Sequence, residues 1–414
     1  MKNVACILFF LQCCIVLNTA LYATTLPVGK NKKFTSIKTA LQHCNNGDTI
    51  AVEKGLYKEQ GIVINKSIVL KGIGLPVLDG EFKYEIIAVK ANNAVIDGFK
   101  LQHSGRSDIN DLAAIKIYNA SNVIISNNII EDASWGIYVS YSTNCKVLNN
   151  HLRSNANDIN TANGIHCWKC DSLQIINNYI TGHRDGIYFE FVTNSIIKKN
   201  ISENNVRYGL HFMFSHNDDY IENTFKQNGA GVAVMFTHGV KMIDNSFIEN
   251  WGGSAYGILL KEISDSYIYH NHFTSNTVGL HMEGTTRIKV EKNTFNANGW
   301  AMRVQASCND NTIAYNNFLN NTFDVATNGS LMLNRFYRNY WDKYEGYDLN
   351  KNQIGDVPYR PVSLFSMIAE RNPSVMMLFR SFMVTLFDKT EKILPGIIPE
   401  NLKDDSPMMK PLSL

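Results

Sequence analysis

Between Ala114 and Phe323 one pattern is written nine times, and that repetition constrains the fold more than any other feature of the 414 residues. The copies open at Ala114, Gly136, Gly164, Gly186, Gly209, Gly231, Gly257, Gly279 and Ala301, with spacings of 22, 28, 22, 23, 22, 26, 22 and 22 residues. Fourteen residues after each of the first eight starts stands an Asn: Asn128, Asn150, Asn178, Asn200, Asn223, Asn245, Asn271 and Asn293. In the ninth copy the match is Asn317, sixteen residues on. A period in this range marks a solenoid, in which each repeat buries its apolar face against its neighbours.

The start of each copy alternates, as in Gly186-Ile187-Tyr188-Phe189-Glu190. Positions +1 and +3 are apolar while +2 and +4 vary, the period of two of a half-buried strand. No helical pattern separates the strands, which argues against leucine-rich and other α/β repeats. The expectation is an all-β, single-stranded parallel β-helix of about 10–12 coils, one repeat to a coil, with neighbouring coils roughly 4.8 Å apart. The repeated Asn then forms an inward ladder at one corner. Burial of its amides without partners would cost about 1–3 kcal/mol per group, so the ladder is read as structural.

A formal charge of +2 and the lack of a basic run give no prior for nucleic acid. Lys2, the apolar stretch Val4 to Leu17 and the small residue Ala23 read as a secretory signal over residues 1–23, with cleavage after Ala20 as the alternative. Gln12 is a poor lipobox residue before Cys13, which argues against a lipoprotein signal. The mature chain is expected in the periplasm. Five cysteines remain (Cys44, Cys145, Cys167, Cys170 and Cys308), an odd number that argues against a disulfide framework. Cys167 and Cys170 have CxxC spacing, but Cys167 falls on an inward position, where a small core residue is the preferred reading.

The β-helix is expected over residues 24–345. Phe34, Ile37, Ala40 and Leu41 have helical spacing, and a short helix there would cap the first coil. The 28-residue coil has its extra residues after Asn150, and the 26-residue coil near Trp251. Both insertions fall in the same part of their coils and should project on one side. A C-terminal extension, irregular and helical, fills residues 346–414. Within it lies the Met- and Phe-rich segment 363–388, whose apolar run Ser374 to Phe387, interrupted by Arg380, is too short to cross a membrane, for which about 20 residues are needed. It reads as a helix docking on a partner, on the membrane surface or on the end of the solenoid itself. The tail past Pro395 reads as polar and loose.

Two columns describe the outward positions of the nine strands. The +2 column is Lys116, Tyr138, His166, Tyr188, His211, Ala233, Leu259, His281 and Arg303. The +4 column is Tyr118, Ser140, Trp168, Glu190, Met213, Met235, Lys261, Glu283 and Gln305. Outward Met is unusual, and Met213 and Met235 share one offset on adjacent coils. So do His216 and His238, just past the strands, and His211 lies two residues before Met213. Thioethers with imidazoles suit Cu(I) and fit Mg²⁺ or Ca²⁺ badly. The competing reading is a Met pair packed under a loop with two surface histidines. Asp348, Asn350, Asn352 and Asp356 are spaced like the start of a Ca²⁺ loop, but Asn replaces two Asp and Gln353 the usual Gly, which favours a hydrogen-bonded turn. A polysaccharide hydrolase would need paired carboxylates at close range. Glu190 and Glu283 lie four coils apart, and Asp185, just before a Gly start, reads as a turn residue.

The segments NNGDTIAVEKGLYKE and KSIVLKGIG resemble the opening of pectin-lyase-like β-helix proteins, a resemblance that implies a right-handed coil. The runs YGLHFMFSHND (208–218), GVAVMFTHGVKMIDN (231–245) and NYWDKYEGYDLNKNQIGDVPYRP (339–361) resemble the NosD family, periplasmic β-helix proteins of nitrous oxide reductase maturation. That resemblance implies a non-catalytic role in delivering copper to nitrous oxide reductase. The implied partners are an ABC-type permease, its ATPase and a copper chaperone lipoprotein. It makes His211, Met213, His216, Met235 and His238 the expected transient copper site, and 363–388 the expected permease contact. The alternatives are a secreted carbohydrate lyase or hydrolase, and a surface-binding scaffold.

Overall fold

A computed structural model describes residues 23–107, 109–157, 161–329, 333–379, 381–393 and 402–414. The expected signal segment lies outside them, apart from Ala23. Among the described residues the chain forms three parallel sheets of 14, 12 and 13 strands that wind into a right-handed β-helix of about 13 turns. The first sheet runs from Thr25–Val28 to Leu333–Tyr337, the second from Ile62–Ile64 to Phe323–Ala326, and the third from Leu56–Tyr57 to Tyr340–Trp341. Eight of the nine repeat starts lie in strands of the second sheet, and Gly164 immediately precedes one, Ile165–Trp168. The coils before Ala114, which lack the Gly signature, bring the number of turns above the expected 10–12.

Alternation places the apolar positions inside. Ile187 and Phe189 are fully buried, and so are their register partners Leu210 and Phe212. In the third sheet Phe225, Phe247, Phe273, Phe295, Phe318 and Trp341 stack coil on coil, with ring centroids 4.0–5.5 Å apart. Glycine opens the copies because the corner before the second sheet brings backbones close. A Cβ on Gly209 would lie 2.8 Å from both the Asn228 side chain and the Gly231 carbonyl.

The Asn ladder forms as expected, each Nδ2 donating to the Oδ1 of the next coil, as from Asn200 to Asn223 at 3.0 Å. The same Nδ2 donates to the Ile175 carbonyl, so the buried amide is satisfied. In the ninth coil the rung is Asn316, not Asn317. That coil spends one extra residue on a turn closed from Cys308 N–H to Gln305 O, which shifts the ladder position. A second ladder, Asn205, Asn228, Asn250, Asn276, Asn298 and Asn321, runs along the corner between the third and second sheets.

The ends are closed by two devices. Helix α1 (Ile37–His43), N-capped by Ser36, lays Ile37, Ala40 and Leu41 over the first coil. At the other end the tail past Pro395 is not loose over residues 402–414. Asp404 is fully buried and takes the place of the last Asn rung. Its Oδ2 accepts from Asn339 Nδ2 and N–H, both at 3.0 Å, and from Trp341 Nε1 at 3.1 Å. Asn317, displaced from the ladder, instead exchanges two 2.9 Å bonds with the Leu412 backbone. The last coil has no following coil to satisfy its donors, and the tail supplies that partner.

The segment 363–388 folds on the solenoid itself. Helix α2 (Leu364–Arg371) and helix α3 (Phe382–Ile393) flank a 3₁₀ turn over Pro373–Leu378. Phe365 packs with Val278, Trp300, Phe323 and Ala326 on the outer face of the second sheet, and Ala369 is buried one turn further along the helix. Arg303 lies 3.1 Å from the Glu370 carboxylate. The opposite side stays open, with Met377 88% and Phe382 79% exposed. Among the described residues no helix is long and apolar enough to cross a membrane.

Candidate metal centre

Strand register brings the sequence-predicted residues together in pairs. Met213, which ends the strand Tyr208–Met213, and Met235, within the neighbouring strand Ala230–His238, are direct register partners, and both are half-buried. Each is followed by a phenylalanine in left-handed conformation, Phe214 at φ 49° and Phe236 at φ 56°, which turns the chain toward the first sheet. Past that corner the imidazoles of His216 and His238 stack with centroids 4.1 Å apart and planes 19° apart. Elsewhere in this column stand Ser121, Thr143, Asp171 and Thr193 before the pair, and Ser264 and Thr286 after it.

The His216 ring is held by its Nδ1, which accepts the His238 backbone N–H at 3.3 Å and lies 3.3 Å from Thr237 Oγ1. That arrangement leaves Nε2 as the nitrogen free to face a ligand. Burial and the neighbouring His238 lower the His216 pKa, which favours the neutral imidazole that binds metals. Met213 also has a polar neighbour, for the Tyr188 hydroxyl donates to its Sδ at 3.4 Å. Among the described residues no three His, Cys, Asp or Glu side chains group as metal ligands, so a site here draws on thioether sulfur. The Phe corner stands between the two pairs, with the thioethers on the second-sheet side and the imidazoles on the first-sheet side.

His211 belongs to a different neighbourhood. The +2 column forms a continuous stack on the outer face of the second sheet: Tyr138 to His166 at 4.4 Å, His166 to Tyr188 at 4.9 Å, and Tyr188 to His211 at 4.8 Å. These outward rings are largely screened from water, and burial drives the His166 pKa down to about 3. Asp185 is no turn residue. It is fully buried at the start of the strand Asp185–Glu190, and Arg207 Nε donates to it at 2.8 Å. Burial works to raise the Asp185 pKa, and Arg207 with His211 overrides it and holds the carboxyl below its usual range. His211 Nδ1 lies 3.8 Å from Asp185 Oδ2, and both its ring nitrogens lack a hydrogen bond. Sequence reasoning missed this Asp185–Arg207 pair because its partners are 22 residues apart. The two stand one position out of register, since Asp185 is the register partner of Tyr208 and Arg207 is the residue before it.

The oxygens of the predicted calcium loop are engaged by backbone. Asp348 accepts from the N–H groups of Asn352 and Gln353, at 3.1 and 2.7 Å. Asn350 and Asn352 each accept from a residue two positions on, and Asp356 accepts from Leu349 N–H. This is a hydrogen-bonded turn. Among the described residues the five cysteines are buried free thiols, including Cys167 and Cys170, which fits the core reading. The insertions after Asn150 and near Trp251 leave the solenoid at one corner, between the third and second sheets, and border the outer face of the second sheet.

Comparison with known proteins adds the following. Residues 155–354 match the family model described as periplasmic copper-binding protein (NosD). A probable ABC transporter binding protein NosD of Stutzerimonas stutzeri is 25% identical over 160 residues, 38% of this chain and 32% of the relative. Its counterpart in Pseudomonas aeruginosa is 26% identical over 125 residues, 30% of this chain and 29% of the relative. The matches thus span about a third of the length of these relatives. Among solved structures, PfbA, a surface adhesin of Streptococcus pneumoniae, superposes with a TM-score of 0.58 at 12% identity, over 70% of this chain and 88% of that one. The catalytic unit of a GH87 α-1,3-glucanase from Streptomyces thermodiastaticus gives 0.54 at 12% identity, over 74% and 62%. At such identity the likeness concerns the β-helix alone. Over residues 155–354, just under half of its length, the chain is similar to NosD proteins, and the two relatives agree with that match.

Proposed function

We propose that the chain is a periplasmic accessory protein that helps deliver copper to nitrous oxide reductase, together with an ABC-type permease and its ATPase. The observation that carries this reading is the pairing of Met213 with Met235 beside the stacked His216 and His238. Two thioethers and two imidazoles on adjacent coils are a soft donor set that suits Cu(I). The matched family description and the names of the relatives support the copper and transporter parts of the reading. Copper is cargo in this scheme, accepted from a chaperone lipoprotein and passed on, so a surface site with few ligands suits the task. His211, two residues before Met213, joins this donor set only by moving away from the Asp185 carboxylate. The exposed side of 363–388, around Met377 and Phe382, is the proposed permease contact, since its other side already rests on the solenoid.

The test is a Cu(I) competition titration of the wild type and of a variant with Met213, Met235, His216 and His238 all replaced by Ala. Loss of Cu(I) binding is expected, and unchanged binding would refute the site. Permease capture should fall when Met377 and Phe382 become Ser while the solenoid stays folded.

A second reading, a carbohydrate-active enzyme, is favoured by one observation: the buried Asp185–Arg207 pair next to His211 and Tyr188, on the face bordered by the insertions. Product release from alginate, pectin or α-glucan, abolished by Asp185→Asn, would support it over the copper reading.

A further inference from the structure

The corner between the second and first sheets repeats one backbone conformation. The residue after each +4 position sits at φ between 47° and 63° from Asn119 to Gly284. At the two ends of this run stand Asn119 and Gly284, residue types that accept the left-handed region readily. Between them the column reads Tyr141, Lys169, Phe191, Phe214, Phe236 and Glu262. Other corners of the solenoid take the same conformation largely with polar residues, such as Asn127, Asn149, Lys199, Glu222, Asn204 and Gln227, so a run of aromatic rings in this column calls for a reason.

Burial does not supply it. Tyr141 is 50% exposed, Phe191 43% and Phe236 38%. Phe191, Phe214 and Phe236 form a continuous surface ridge, with Tyr141 two coils before it. Phe191 stacks on Phe214 at 5.2 Å, and Phe214 on Phe236 at 5.1 Å. Tyr141 meets Trp168 at 4.8 Å, with the Lys169 ammonium 4.9 Å from the Trp168 ring. Stacking between coils steadies the rings but does not need them at the surface. The ridge ends on the coil of Met235 and His238, and the next residue in the column is Glu262.

We propose that this ridge is the docking strip for the protein that exchanges copper with the chain, a partner whose own copper site is rimmed by apolar side chains. The inference rests on the copper reading. Its ground is continuity: Phe214 and Phe236 directly follow Met213 and Met235, and His216 and His238 stand two residues further on. Anything close enough to exchange a ligand with these donors lies against the Phe rings. An apolar rim closing around the donors excludes water, and with it hydrated competitors, while Cu(I) moves from one thioether or imidazole to another. Each transfer step exchanges one donor atom for another on the same ion, with no change of oxidation state.

The experiment compares the wild type with the triple variant Phe191→Asn, Phe214→Asn, Phe236→Asn. Asn is native to this column at Asn119, so the variant should fold with an unchanged or higher Tm. Each protein is loaded with Cu(I) from two donors, the small Cu(I)–glutathione complex and the Cu(I)-loaded chaperone lipoprotein of the same system. The expected result is equal loading from glutathione and at least tenfold slower loading of the variant from the protein donor. Equal rates from both donors would overturn the ridge while leaving the copper site standing. A wild type that takes Cu(I) from neither donor would overturn the copper reading, and the ridge with it. Wild-type binding to phosphatidylethanolamine–phosphatidylglycerol vesicles that the variant loses would assign the ridge to a membrane and also overturn the proposal.

Discussion

His216 and His238 stack face to face across adjacent coils, with 4.1 Å between ring centroids. Two imidazoles this close cannot both carry a proton without repulsion, and burial works in the same direction on His216. Its pKa lies below the ordinary 6.5, so the ring stays neutral through the neutral range and becomes protonated only at lower pH. Cu(I) affinity is therefore expected to be flat above pH 6.5 and to fall below it as protons compete for the donor nitrogens. A competition titration repeated at several pH values checks this. An affinity that falls equally in the His216→Ala, His238→Ala double variant would show that other groups set the dependence.

Asp404 is the last rung of the Asn ladder. Asp404→Ala would leave the donors of Asn339 and Trp341 buried without an acceptor, at about 1–3 kcal/mol for each unsatisfied group. The expected outcome is a clear drop in the urea midpoint, with the tail 402–414 becoming open to proteolysis. Cleavage sites mapped by mass spectrometry should fall in that tail first.

Asp218 gives the solenoid a pH dependence of its own. Its Oδ1 accepts the Ser195 N–H at 2.8 Å, while Oδ2 is buried without a partner. Burial pushes its pKa from the ordinary 3.8 up to about 8. With the folded value above the unfolded one, the folded state holds the proton more tightly. The stability linked to this proton is fully present below pH 3.8 and is lost as pH rises toward about 8, at up to about 1.4 kcal/mol per pH unit. Asp218→Asn keeps the Ser195 bond, as Asn311 does for Ile288 N–H, and removes the titrating proton. The variant should be more stable than the wild type at pH 8, with a flatter pH profile, both read from thermal melts.

The Arg303–Glu370 pair holds helix α2 on the second sheet, where both side chains are largely shielded and Gln305 Nε2 adds a 3.2 Å bond to Glu370. Removing one partner of such a pair leaves the other charge uncompensated. Glu370→Ala should therefore loosen residues 364–393 at a cost of about 3–5 kcal/mol to their docking, with the coils intact. Hydrogen exchange should rise over the helices and stay low along the Asn ladder. A uniform rise along the whole chain would count against this assignment.

Most of the architecture was legible in the sequence because a solenoid writes its contacts at a fixed offset. The Gly starts, the inward pairs such as Ile187 and Phe189, and the rungs from Asn128 to Asn293 follow from the period alone. The same alignment brought out Met213 with Met235 and His216 with His238, since equivalent offsets in successive coils become neighbours in space. Where a coil departs from the period the inference failed, and a single extra residue moved the ninth rung from Asn317 to Asn316. What lies off the period was decided by the tertiary structure. Asp185 pairs with Arg207 because corners stack. Residues 363–388 fold back on Trp300 and Phe323 because the last coils offer an uncovered apolar face. Asp404 returns to the ladder because its final Asn needs an acceptor. Local sequence determines which face a residue shows, and only the closed fold determines what comes to meet it.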